Sequence, residues 1–450
     1  MLIDIITQQR EYFNRGVTLG YNFRIQQLQK LRHALVTHKQ EIVNALYQDL
    51  RRPELEAYFE IELVKEIDYV IKNLRSWMKV QYQLPTIAQM PAITYRVPQA
   101  IGNILIISPW NYPFELTFRP LIGAIAAGNC IIIKPSEIAL NSSQLINKII
   151  TSNFEPNYIA VVEGDATITQ QLLQLRFDHI FFTGSTAVGK IIATAAAKNL
   201  TPTTLELGGK SPVIVCSDAD IKLTAKRVLW GKLINAGQTC IAPDYVLVDR
   251  KIYPQLLLEL KLVLKEFYPT TSNDLGRIIS LQHWQRLVNL LESATVLAGG
   301  KTNQEELYIE PTLLKVNSRQ DAIMNEEIFG PLLPIITFDN LDTEIAYLKH
   351  QERPLALYLF SSNPNIHHYV STQIVSGGMV INDCVLHISN HRMPFGGIGN
   401  SGHGAYHGRY TFDIFTHYKT VLKRFKFEIP WRYPPYNKLK LFLIKWLTKK

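Results

Sequence analysis

Cysteine is scarce in this chain of 450 residues, which contains four cysteines and no Cys-x-x-Cys pair. This spacing excludes a disulfide framework and a zinc knuckle, because both need closely spaced cysteines. A secretory signal peptide is not expected either, since Gln8, Gln9 and Arg10 interrupt the first apolar run. We therefore expect free thiols and a reducing, cytoplasmic environment.

Acidic residues are fewer than basic ones, but the excess of positive charge is confined to one end of the chain. The net formal charge is +9. Residues 419–450 contain ten Lys or Arg and one acidic residue, Glu428, which also amounts to +9. The first 418 residues are therefore close to neutral, and we predict that they bind no nucleic acid.

Internal repeats at the spacing of a solenoid are also absent, and the chain exceeds the size at which one hydrophobic core stops growing. Apolar residues recur at helical spacing through residues 28–78. From Ile101, fully apolar runs alternate with helical segments, which indicates parallel sheets with helices on both faces. We predict an α/β fold of two doubly wound domains that join near residues 207–209. Residues 84–100 are predicted to form an extended arm outside these sheets.

The segment FFTGSTAVGK at residues 181–190 has the features of a phosphate-binding turn. Gly184 ends a predicted strand and a helix opens at Ser185, so backbone N–H groups and a helix N-terminus would face an anion. The glycine spacing matches neither the Rossmann fingerprint nor a Walker loop. An ordinary tight turn between strand and helix is therefore the alternative.

The segment IIIKPSE at residues 131–137 is a second candidate for contact with a dinucleotide. Lys134 and Glu137 follow a strand, where a Lys donor and a Glu acceptor could meet ribose hydroxyls. An acidic residue at such a place favours a free 2′-hydroxyl, and hence NAD. The alternative is a helix start, with Ser136 as its N-cap.

The segment NAGQTCIAPDYV raises the question of covalent catalysis by Cys240. A cysteine nucleophile needs a donor for the oxyanion that it creates and a base for the step that releases the product. Asn111 and Glu206 are candidates for these roles, because each follows a buried strand. Taken singly, the three residues are equally well explained as a buried thiol, a helix cap and a solvated carboxylate. Their common position at strand ends favours a shared site.

Seven segments, in order along the chain, resemble the NAD(P)-dependent aldehyde dehydrogenase superfamily. They lie between Pro109 and Gly404 and read PWNYPF, GNCIIIKPSE, FFTGSTAVGK, TLELGGKSP, NAGQTCIAPDYV, NEEIFGPLLP and MPFGGIGNSGHG. The short N-terminus, CIAPDY after the cysteine and RYPPY near the end resemble the class 3 branch, which includes fatty aldehyde dehydrogenases. The resemblance implies NAD or NADP as cofactor, an aldehyde substrate and a homodimer.

The resemblance also implies a role for each candidate residue. Cys240 would attack the aldehyde, Asn111 and the Cys240 backbone N–H would hold the oxyanion, and Glu206 would activate the water that hydrolyses the thioester. The residues expected to hold the cofactor are Lys134, Glu137, Thr183, Gly184, Ser185, Val188, Glu327 and Phe329. The residues expected beside the aldehyde are Tyr112, Trp230, Ile241 and Asn382.

A division of the chain follows from the same resemblance. Residues 1–83 and 101–206 would form a Rossmann-like cofactor domain, and residues 207–405 an α/β catalytic domain. Residues 84–100 and 406–424 would form a small β arm for oligomerisation, followed by a basic amphipathic tail at 425–450.

The expected activity is oxidation of an apolar aldehyde, whether medium-chain, long-chain, aromatic or isoprenoid-derived, to a carboxylic acid. Two alternatives remain: a CoA-acylating dehydrogenase, and a non-catalytic, membrane-tethered protein of the same fold. Glu206 argues against the first, because transfer of the acyl group to a thiol needs no hydrolytic base. The presence of every catalytic residue type argues against the second.

The remaining cysteines and a histidine pair have weaker claims to chemistry. Cys130 and Cys216 lie inside apolar runs and are expected to be inert core thiols, whereas Cys384 could border the site. His403 and His407 have the spacing of a helical metal pair, but glycines on both sides argue against a helix. We predict no metal site.

The last segment, NKLKLFLIKWLTKK, predicts an amphipathic helix. Leu439, Phe442, Leu443, Trp446 and Leu447 share one helical face, with lysines opposite and two apolar residues interrupting the polar side. The segment is too short to cross a bilayer, which needs about 20 apolar residues. It fits a helix lying on an anionic membrane surface or one docked on protein, and both remain open.

Overall fold

The computed structural model describes residues 2–269, 273–427 and 432–447. Its α-helices, in chain order, are α1 (Leu2–Asn14), α2 (Tyr21–Thr37), α3 (Lys39–Leu50), α4 (Glu54–Ile61), α5 (Leu63–Trp77), α6 (Pro113–Ala127), α7 (Leu140–Asn153), α8 (Ala166–Leu173), α9 (Thr186–Ala197), α10 (Ile221–Leu233), α11 (Tyr253–Phe267), α12 (Leu281–Glu292), α13 (Ala322–Asn325), α14 (Leu341–Lys349), α15 (Pro364–Gln373), α16 (Arg409–Ile414) and α17 (Lys438–Leu447). Its strands are β1 (Gln81–Gln83), β2 (Ala92–Ala100), β3 (Asn103–Ile107), β4 (Cys130–Lys134), β5 (Ile159–Val161), β6 (His179–Thr183), β7 (Thr203–Glu206), β8 (Pro212–Val215), β9 (Tyr245–Asp249), β10 (Thr295–Ala298), β11 (Thr302–Asn303), β12 (Tyr308–Ile309), β13 (Thr312–Lys315), β14 (Leu332–Phe338), β15 (Ala356–Phe360), β16 (Gly378–Ile381), β17 (Gly402–His403) and β18 (Thr416–Arg424).

Six strands form the first large sheet in the order β17-β7-β6-β3-β4-β5, and every neighbouring pair is parallel except β17 with β7. β3, β4 and β6 are buried along their whole length, as their apolar runs predict for strands covered on both faces. The chain passes from β3 to β4 and β5 on one side and then to β6 and β7 on the other. The strand order therefore reverses between β3 and β6, which is where open α/β sheets bind ligands.

Seven strands form the second large sheet in the order β10-β13-β14-β9-β8-β15-β16, which is parallel except for β10 with β13. Its order reverses between β8 and β15. Helices connect most of its parallel strands, because a parallel crossover has to return along the face of the sheet. The predicted α/β fold with two doubly wound sheets is confirmed.

A separate three-stranded antiparallel sheet has the order β1-β2-β18. β2 and β18 pair over nine residues, from Ala92 opposite Arg424 to Ala100 opposite Thr416. Within the predicted arm, the strand begins at Ala92, and a 3-10 helix at Ile87–Gln89 precedes it. The side chains of Tyr82, Ile93 and Leu422 on this sheet are exposed.

Helix α6 connects the first sheet to the N-terminal helices. Every residue of α6 is buried except Glu115, because the helix packs on β3 and β4 and is covered by α2 and α5. A helix buried on all sides needs no polar face, which explains its apolar composition. Pro113 opens the helix beside the end of β3, where a proline loses no hydrogen bond.

The helix after β4 differs from one alternative drawn from the sequence. α7 begins at Leu140, so the interpretation of Ser136 as its N-cap is wrong. The first N–H groups of α7 are instead satisfied across the fold by Asp49, which accepts from the backbone of Asn141 at 3.1 Å and of Ser142 at 2.8 Å. A side chain from α3 supplies the cap that the local sequence lacks.

The C-terminal helix α17 lies within the predicted amphipathic segment. Leu439, Phe442 and Trp446 are 65%, 64% and 60% exposed, so they are not buried against the body of the chain. The side chain of Leu447 and residues 448–450 lie outside the described residues. Among the helices that the structure describes, none is long and apolar enough to cross a membrane.

Candidate active site

The turn that carries Cys240 is built from left-handed backbone. After α10 ends, Asn235, Ala236 and Gly237 all have positive φ angles, of 53°, 53° and 78°. At Gly237 a Cβ atom would collide with the carbonyl group of Gly330, so only glycine fits there. The reversal aims the following residues back toward the end of β3.

The side chain of Gln238 ties this turn to a neighbouring loop. Its Nε2 donates to the carbonyl oxygens of Asn235 at 3.1 Å and Arg277 at 2.9 Å, and its Oε1 accepts from the backbone N–H of Ile279 at 3.0 Å. The amide of Gln238 is thereby fully engaged, and it holds the backbone of Cys240 in one position.

Asn111 lies directly opposite this turn. Its Nδ2 donates to the carbonyl oxygen of Gln238 at 3.0 Å, so the amide of Asn111 lies beside the turn that carries Cys240. The backbone carbonyl of Asn111 accepts from Asn235 Nδ2 at 3.0 Å and from the guanidinium of Arg52. The two segments are therefore joined by hydrogen bonds in both directions.

A buried ion pair fixes this junction from behind. The guanidinium of Arg52 pairs with Glu60, donates to Asn235 Oδ1 at 3.2 Å and lies 4.5 Å from the ring centre of Tyr112. The carboxylate of Glu60 accepts from the first N–H groups of α6, at Phe114 (2.8 Å) and Glu115 (3.0 Å). Burial raises the pKa of Glu60 to about 7, while the charge of Arg52 lowers it.

Glu206 ends β7 on the other side of Cys240. Its carboxyl group is buried, and neither oxygen has a hydrogen-bond partner among the described residues. Burial raises the pKa of this carboxyl well above its ordinary value. At Gly396 a Cβ atom would lie 3.2 Å from Glu206 Oε1, so the absence of a side chain leaves room for the carboxyl group.

The side chain of Cys240 is half-buried, and its surroundings favour the thiol over the thiolate. Burial is the main cause that raises its pKa, and the carboxyl groups of Glu327 and Glu206 raise it further. Burial, opposed by the nearby cations, raises the pKa of Glu327 to about 8 as well. Three titratable groups with raised pKa values thus surround one point, which is typical of a functional site.

Two cavities meet at Cys240. The first has a volume of about 360 Å³ and lies over the ends of β3, β6 and β7, where Asn111, Gly184 and Glu206 line it. The second has a volume of about 420 Å³ and lies between α5, α6, α10 and the loop around Leu386. Cys240 and Leu116 are the residues that line both. A reactant in either cavity can therefore reach the same sulfur atom.

The first cavity collects most of the residues that were predicted to hold a dinucleotide. Those that line it are Thr183, Gly184, Ser185, Glu327 and Phe329. Thr183 Oγ1 is buried without a partner among the described residues, and Ser185 caps the N-terminus of α9 by accepting from Val188 N–H at 3.4 Å. An unpartnered hydroxyl, a helix N-terminus and a close glycine turn fit the sugar and phosphate groups of a dinucleotide.

Three other predicted cofactor residues lie outside the lining of that cavity. Lys134 Nζ donates to the Pro135 carbonyl at 2.8 Å and to Glu137 Oε2 at 2.9 Å, beyond the end of β4. Val188 is exposed in the first turn of α9. These residues flank the strand ends next to the cavity, so a longer ligand that extends from it would pass them.

The second cavity contains two of the four residues that were predicted beside the aldehyde. Tyr112 and Trp230 line it, and the Tyr112 hydroxyl is 2.8 Å from Thr239 Oγ1. Ile241 is fully buried beneath the turn, where its carbonyl accepts from Tyr358. The amide of Asn382 is engaged with the backbone of Ser361. Neither Ile241 nor Asn382 lines the cavity.

Several residues of the site were not found by sequence reasoning. Those on the first cavity are Trp110, His283, Arg286 and Glu326, and those on the second include Glu66, Glu115, Arg119 and Leu386. Trp110 lies within the PWNYPF motif, Glu115 directly follows that motif, and Glu326 lies within NEEIFGPLLP, so these motifs are a signal that could have been used. The others lie outside the quoted motifs, and folding brings them together from segments distant in sequence.

The other cysteines and the histidine pair are not among the residues that line either cavity. Cys130, Cys216 and Cys384 are buried, and burial raises the pKa of each thiol. His403 Nε2 lies 2.7 Å from Thr203 Oγ1, whereas the His407 ring is stacked on Phe395. Among residues 2–269, 273–427 and 432–447, no group of three His, Cys, Asp or Glu residues could hold a metal ion.

Comparisons with known proteins identify the family to which this chain is similar. Residues 5–421 match the aldehyde dehydrogenase family. A 4,4'-diaponeurosporen-aldehyde dehydrogenase of Staphylococcus aureus is 46% identical over 436 residues, which are 95% of each chain. A dimeric, NADP-preferring aldehyde dehydrogenase of Canis lupus familiaris is 42% identical over 440 residues, which are 96% of this chain and 97% of that one. A solved structure described as the substrate-bound state of Staphylococcus aureus AldH has a TM-score of 0.97 and 44% identity, and the match covers 100% of this chain and 99% of that one.

Proposed function

Since the chain belongs to the aldehyde dehydrogenase family, we propose that Cys240 is the nucleophile on which apolar aldehydes are oxidised. The protein is an NAD(P)-dependent oxidoreductase that converts aldehydes to carboxylic acids. The observation that carries the proposal is the position of Cys240, which lines both the cavity over the strand ends and the second cavity, between the helices. A cofactor and an aldehyde in separate cavities could therefore react at one sulfur atom.

The first step in the proposed mechanism is attack by the Cys240 sulfur on the aldehyde carbon, which forms a thiohemiacetal. The thiol proton passes to water, and as the carbon–sulfur bond forms, the carbonyl π bond breaks and the oxygen of the aldehyde becomes negative. In this proposal, Asn111 Nδ2 and the backbone N–H of Cys240 donate to this oxygen, and one such donor contributes about 3–4 kcal/mol to transition-state stabilisation. When bound in the first cavity, NAD or NADP supplies the electron acceptor of the oxidation.

The second step is hydrolysis of the thioester that the oxidation leaves on Cys240. Glu206 takes a proton from water, the water oxygen bonds to the acyl carbon, and the carbon–sulfur bond breaks to release the acid. A raised pKa makes the ionised Glu206 carboxylate a stronger base, and its oxygens have no described partner that would compete. Access of water to Glu206 is then the requirement for turnover.

The substrate class is proposed from the wall of the second cavity. Half of the residues that line it are aromatic or aliphatic, including Phe59, Tyr112, Leu116, Trp230 and Ile388. An apolar chain gains about 25 cal/mol for each Å² that it buries there. The name of the Staphylococcus aureus relative, which refers to an isoprenoid-type aldehyde, supports an apolar substrate for this chain too.

The experiment that tests the chemistry is a single-turnover and product analysis of Glu206→Gln with decanal. We expect about one equivalent of reduced cofactor per site, followed by a stall, because the thioester forms but is not hydrolysed. Glu41→Gln, which loses an exposed carboxylate paired with Lys148 outside both cavities, is the control and should turn over. Full steady-state turnover by Glu206→Gln would contradict the role, and acyl-CoA as the product of the unchanged protein would favour the CoA-acylating alternative.

The assembly and location are part of the same proposal. Exposed apolar residues on the three-stranded sheet, such as Tyr82 and Leu422, support a homodimer formed through β1, β2 and β18. The "dimeric" in the name of the Canis lupus familiaris relative supports it as well. In the proposed division of labour, residues 1–83 and 101–206 hold the cofactor and residues 207–405 supply the nucleophile.

We further propose a cytoplasmic protein that touches anionic membranes through its tail. The exposed apolar face of α17, with lysines beside it, supports this contact. Deletion of residues 437–450 should release the protein from vesicles of anionic lipid and leave oxidation of acetaldehyde unchanged. Unchanged vesicle binding after the deletion would contradict the proposal.

A further inference from the structure

An ionic cluster interrupts the apolar wall of the second cavity. The guanidinium of Arg119 pairs with Glu66 at 3.0 Å and with Glu115 at 2.5 Å, each distance joining a guanidinium nitrogen and a carboxylate oxygen. The three side chains are only 10%, 3% and 12% exposed, in that order. One positive and two negative groups give this cluster a formal charge of −1.

The other charged groups near the cluster do not cancel this charge. Glu62 and Lys65 line the exposed rim of the cavity and pair with each other. Burial lowers the pKa of His391, on the opposite wall, so this ring is neutral at neutral pH, although Glu66 partly offsets the effect. Among the described residues that line the cavity, the excess negative charge therefore belongs to the cluster.

Arg119 could be mistaken for an anchor of an anionic substrate. Its two terminal nitrogens face carboxylates, one on Glu66 and one on Glu115, whereas its Nε is buried without a hydrogen-bond partner among the described residues. Glu66 is held by the Gly408 backbone N–H, from which it accepts at 2.7 Å. A substrate anion drawn to the guanidinium would therefore meet two carboxylates that already neutralise its charge.

We propose that the Arg119–Glu66–Glu115 cluster makes this cavity select against aldehydes that carry a second, negatively charged group. The excluded class comprises ω-carboxy aldehydes and phosphorylated aldehydes, whereas neutral aldehydes of the same length are accepted. The inference rests on the proposed function, in which aldehydes reach Cys240 through this cavity. Like charges brought together in a poorly solvated cavity repel strongly, because little water screens them.

The cluster lies close enough to the reacting atom to act on substrate. The charge of Glu115 is among the causes that raise the pKa of Cys240. Glu115 and Leu116 are adjacent in the first turns of α6, and Leu116 lines both cavities. The negative charge is thus placed along the path that a substrate chain takes.

The test compares octanal with 8-oxooctanoate, which differ by one carboxylate at the far end. For the unchanged protein we expect kcat/KM to favour octanal by about 100-fold. In Glu115→Gln this ratio should fall about tenfold, because the cluster then carries no net charge. The measured quantity is the ratio of the two kcat/KM values. A general loss of activity in the variant lowers both values equally and leaves this ratio unchanged. Glu41→Gln, which loses one exposed carboxylate paired with Lys148 far from the cavity, is the control and should keep the ratio.

The possible outcomes separate this inference from the proposed function. If octanal is not oxidised, the proposed function fails. If both aldehydes are oxidised with equal kcat/KM, the apolar route to Cys240 stands and only the charge selection is overturned. If Glu115→Gln does not fold, binding of the monoamide of octanedioic acid and of octanediamide to the unchanged protein is compared by calorimetry, since only the first has a carboxylate at one end. Weaker binding of the carboxylate supports the inference, and equal binding overturns it.

Discussion

The two cavities that meet at Cys240 are built in different ways. Strand ends, backbone turns and a helix N-terminus form much of the first, at the reversal of strand order between β3 and β6. Side chains from helices and one loop form the second. The first therefore depends on topology, which short motifs encode, while the second depends on side chains that can change without altering the fold. One half of the site is set by the family's architecture and the other half can be tuned to a substrate.

The largest effect is expected at the point where the cavities join. Cys240→Ala removes the atom on which both depend, and we expect kcat for any aldehyde to fall by about 10⁴-fold or more. Cofactor binding, measured by calorimetry, should remain, because the first cavity keeps its wall. Cys216→Ala, in the core of the second sheet, is the matched control. Residual turnover within tenfold of the unchanged protein would show that the chemistry occurs elsewhere.

A smaller effect is expected from the ion pair behind the junction. Arg52→Lys keeps the charge but cannot donate at once to Glu60, Asn235 and the Asn111 carbonyl. We expect kcat to fall by about 10–100-fold with less change in KM for either reactant, because the donor to the oxyanion is misplaced. Arg32→Lys alters an exposed pair with Asp68 and is the control. A rise in KM for one reactant alone would show that Arg52 serves a single cavity.

The pH dependence of the unfolding free energy tests the burial of Glu327, which lines the first cavity. The pKa of Glu327 is about 8 in the folded protein because it is buried, so folding favours its protonated form. This contribution is fully present below the ordinary pKa of a glutamate and is lost as the pH rises through about 8. In Glu327→Gln the unfolding free energy should therefore decline less between pH 5 and pH 8, by a difference on the order of 3 kcal/mol. Urea unfolding at several pH values measures it, with the exposed Glu326→Gln as control. If the unfolding free energy declines equally in both variants between pH 5 and pH 8, the raised pKa of Glu327 is contradicted.

The smallest effect is expected from a change in either wall. Trp230→Leu removes aromatic surface from the second cavity and should lower kcat/KM for decanal about tenfold, with little change for acetaldehyde. Trp110→Leu makes the same change in the first cavity and should raise KM for the cofactor instead. Steady-state kinetics with both reactants distinguish the two. If both variants change the kinetic constants for the same reactant, the proposal that the two cavities bind different reactants is wrong.

The sequence predicted the framework of the site because that framework is local. The buried runs of β3 and β6 follow from continuous apolar residues, the turns after them carry Asn111 and Gly184, and Glu206 ends the neighbouring strand β7. Residues at the carboxyl ends of neighbouring parallel strands must lie close together, so their grouping follows from the alternation of strands and helices. The cap of α7 was missed for the opposite reason, since Asp49 reaches it from another helix.

The wall of the second cavity could not be predicted in this way. Ile241 is next to Cys240 in sequence but points into the core, because consecutive residues of the turn face different sides. Arg119 and Glu66 meet only when α5 packs on α6, and neither segment carries a motif. Sequence neighbours of a catalytic residue are therefore poor guides to its surroundings.

The sequence by itself determined the α/β architecture, the positions of the strand ends and the choice of one cysteine as the candidate nucleophile. Only the tertiary structure decided that one sulfur faces two cavities, and that a buried cluster with excess negative charge lines one of them. The physical reason is the range of the interactions. Backbone hydrogen bonds and apolar periodicity act between near neighbours in the chain, whereas the packing of side chains and their mutual charges arise between segments that folding alone brings into contact.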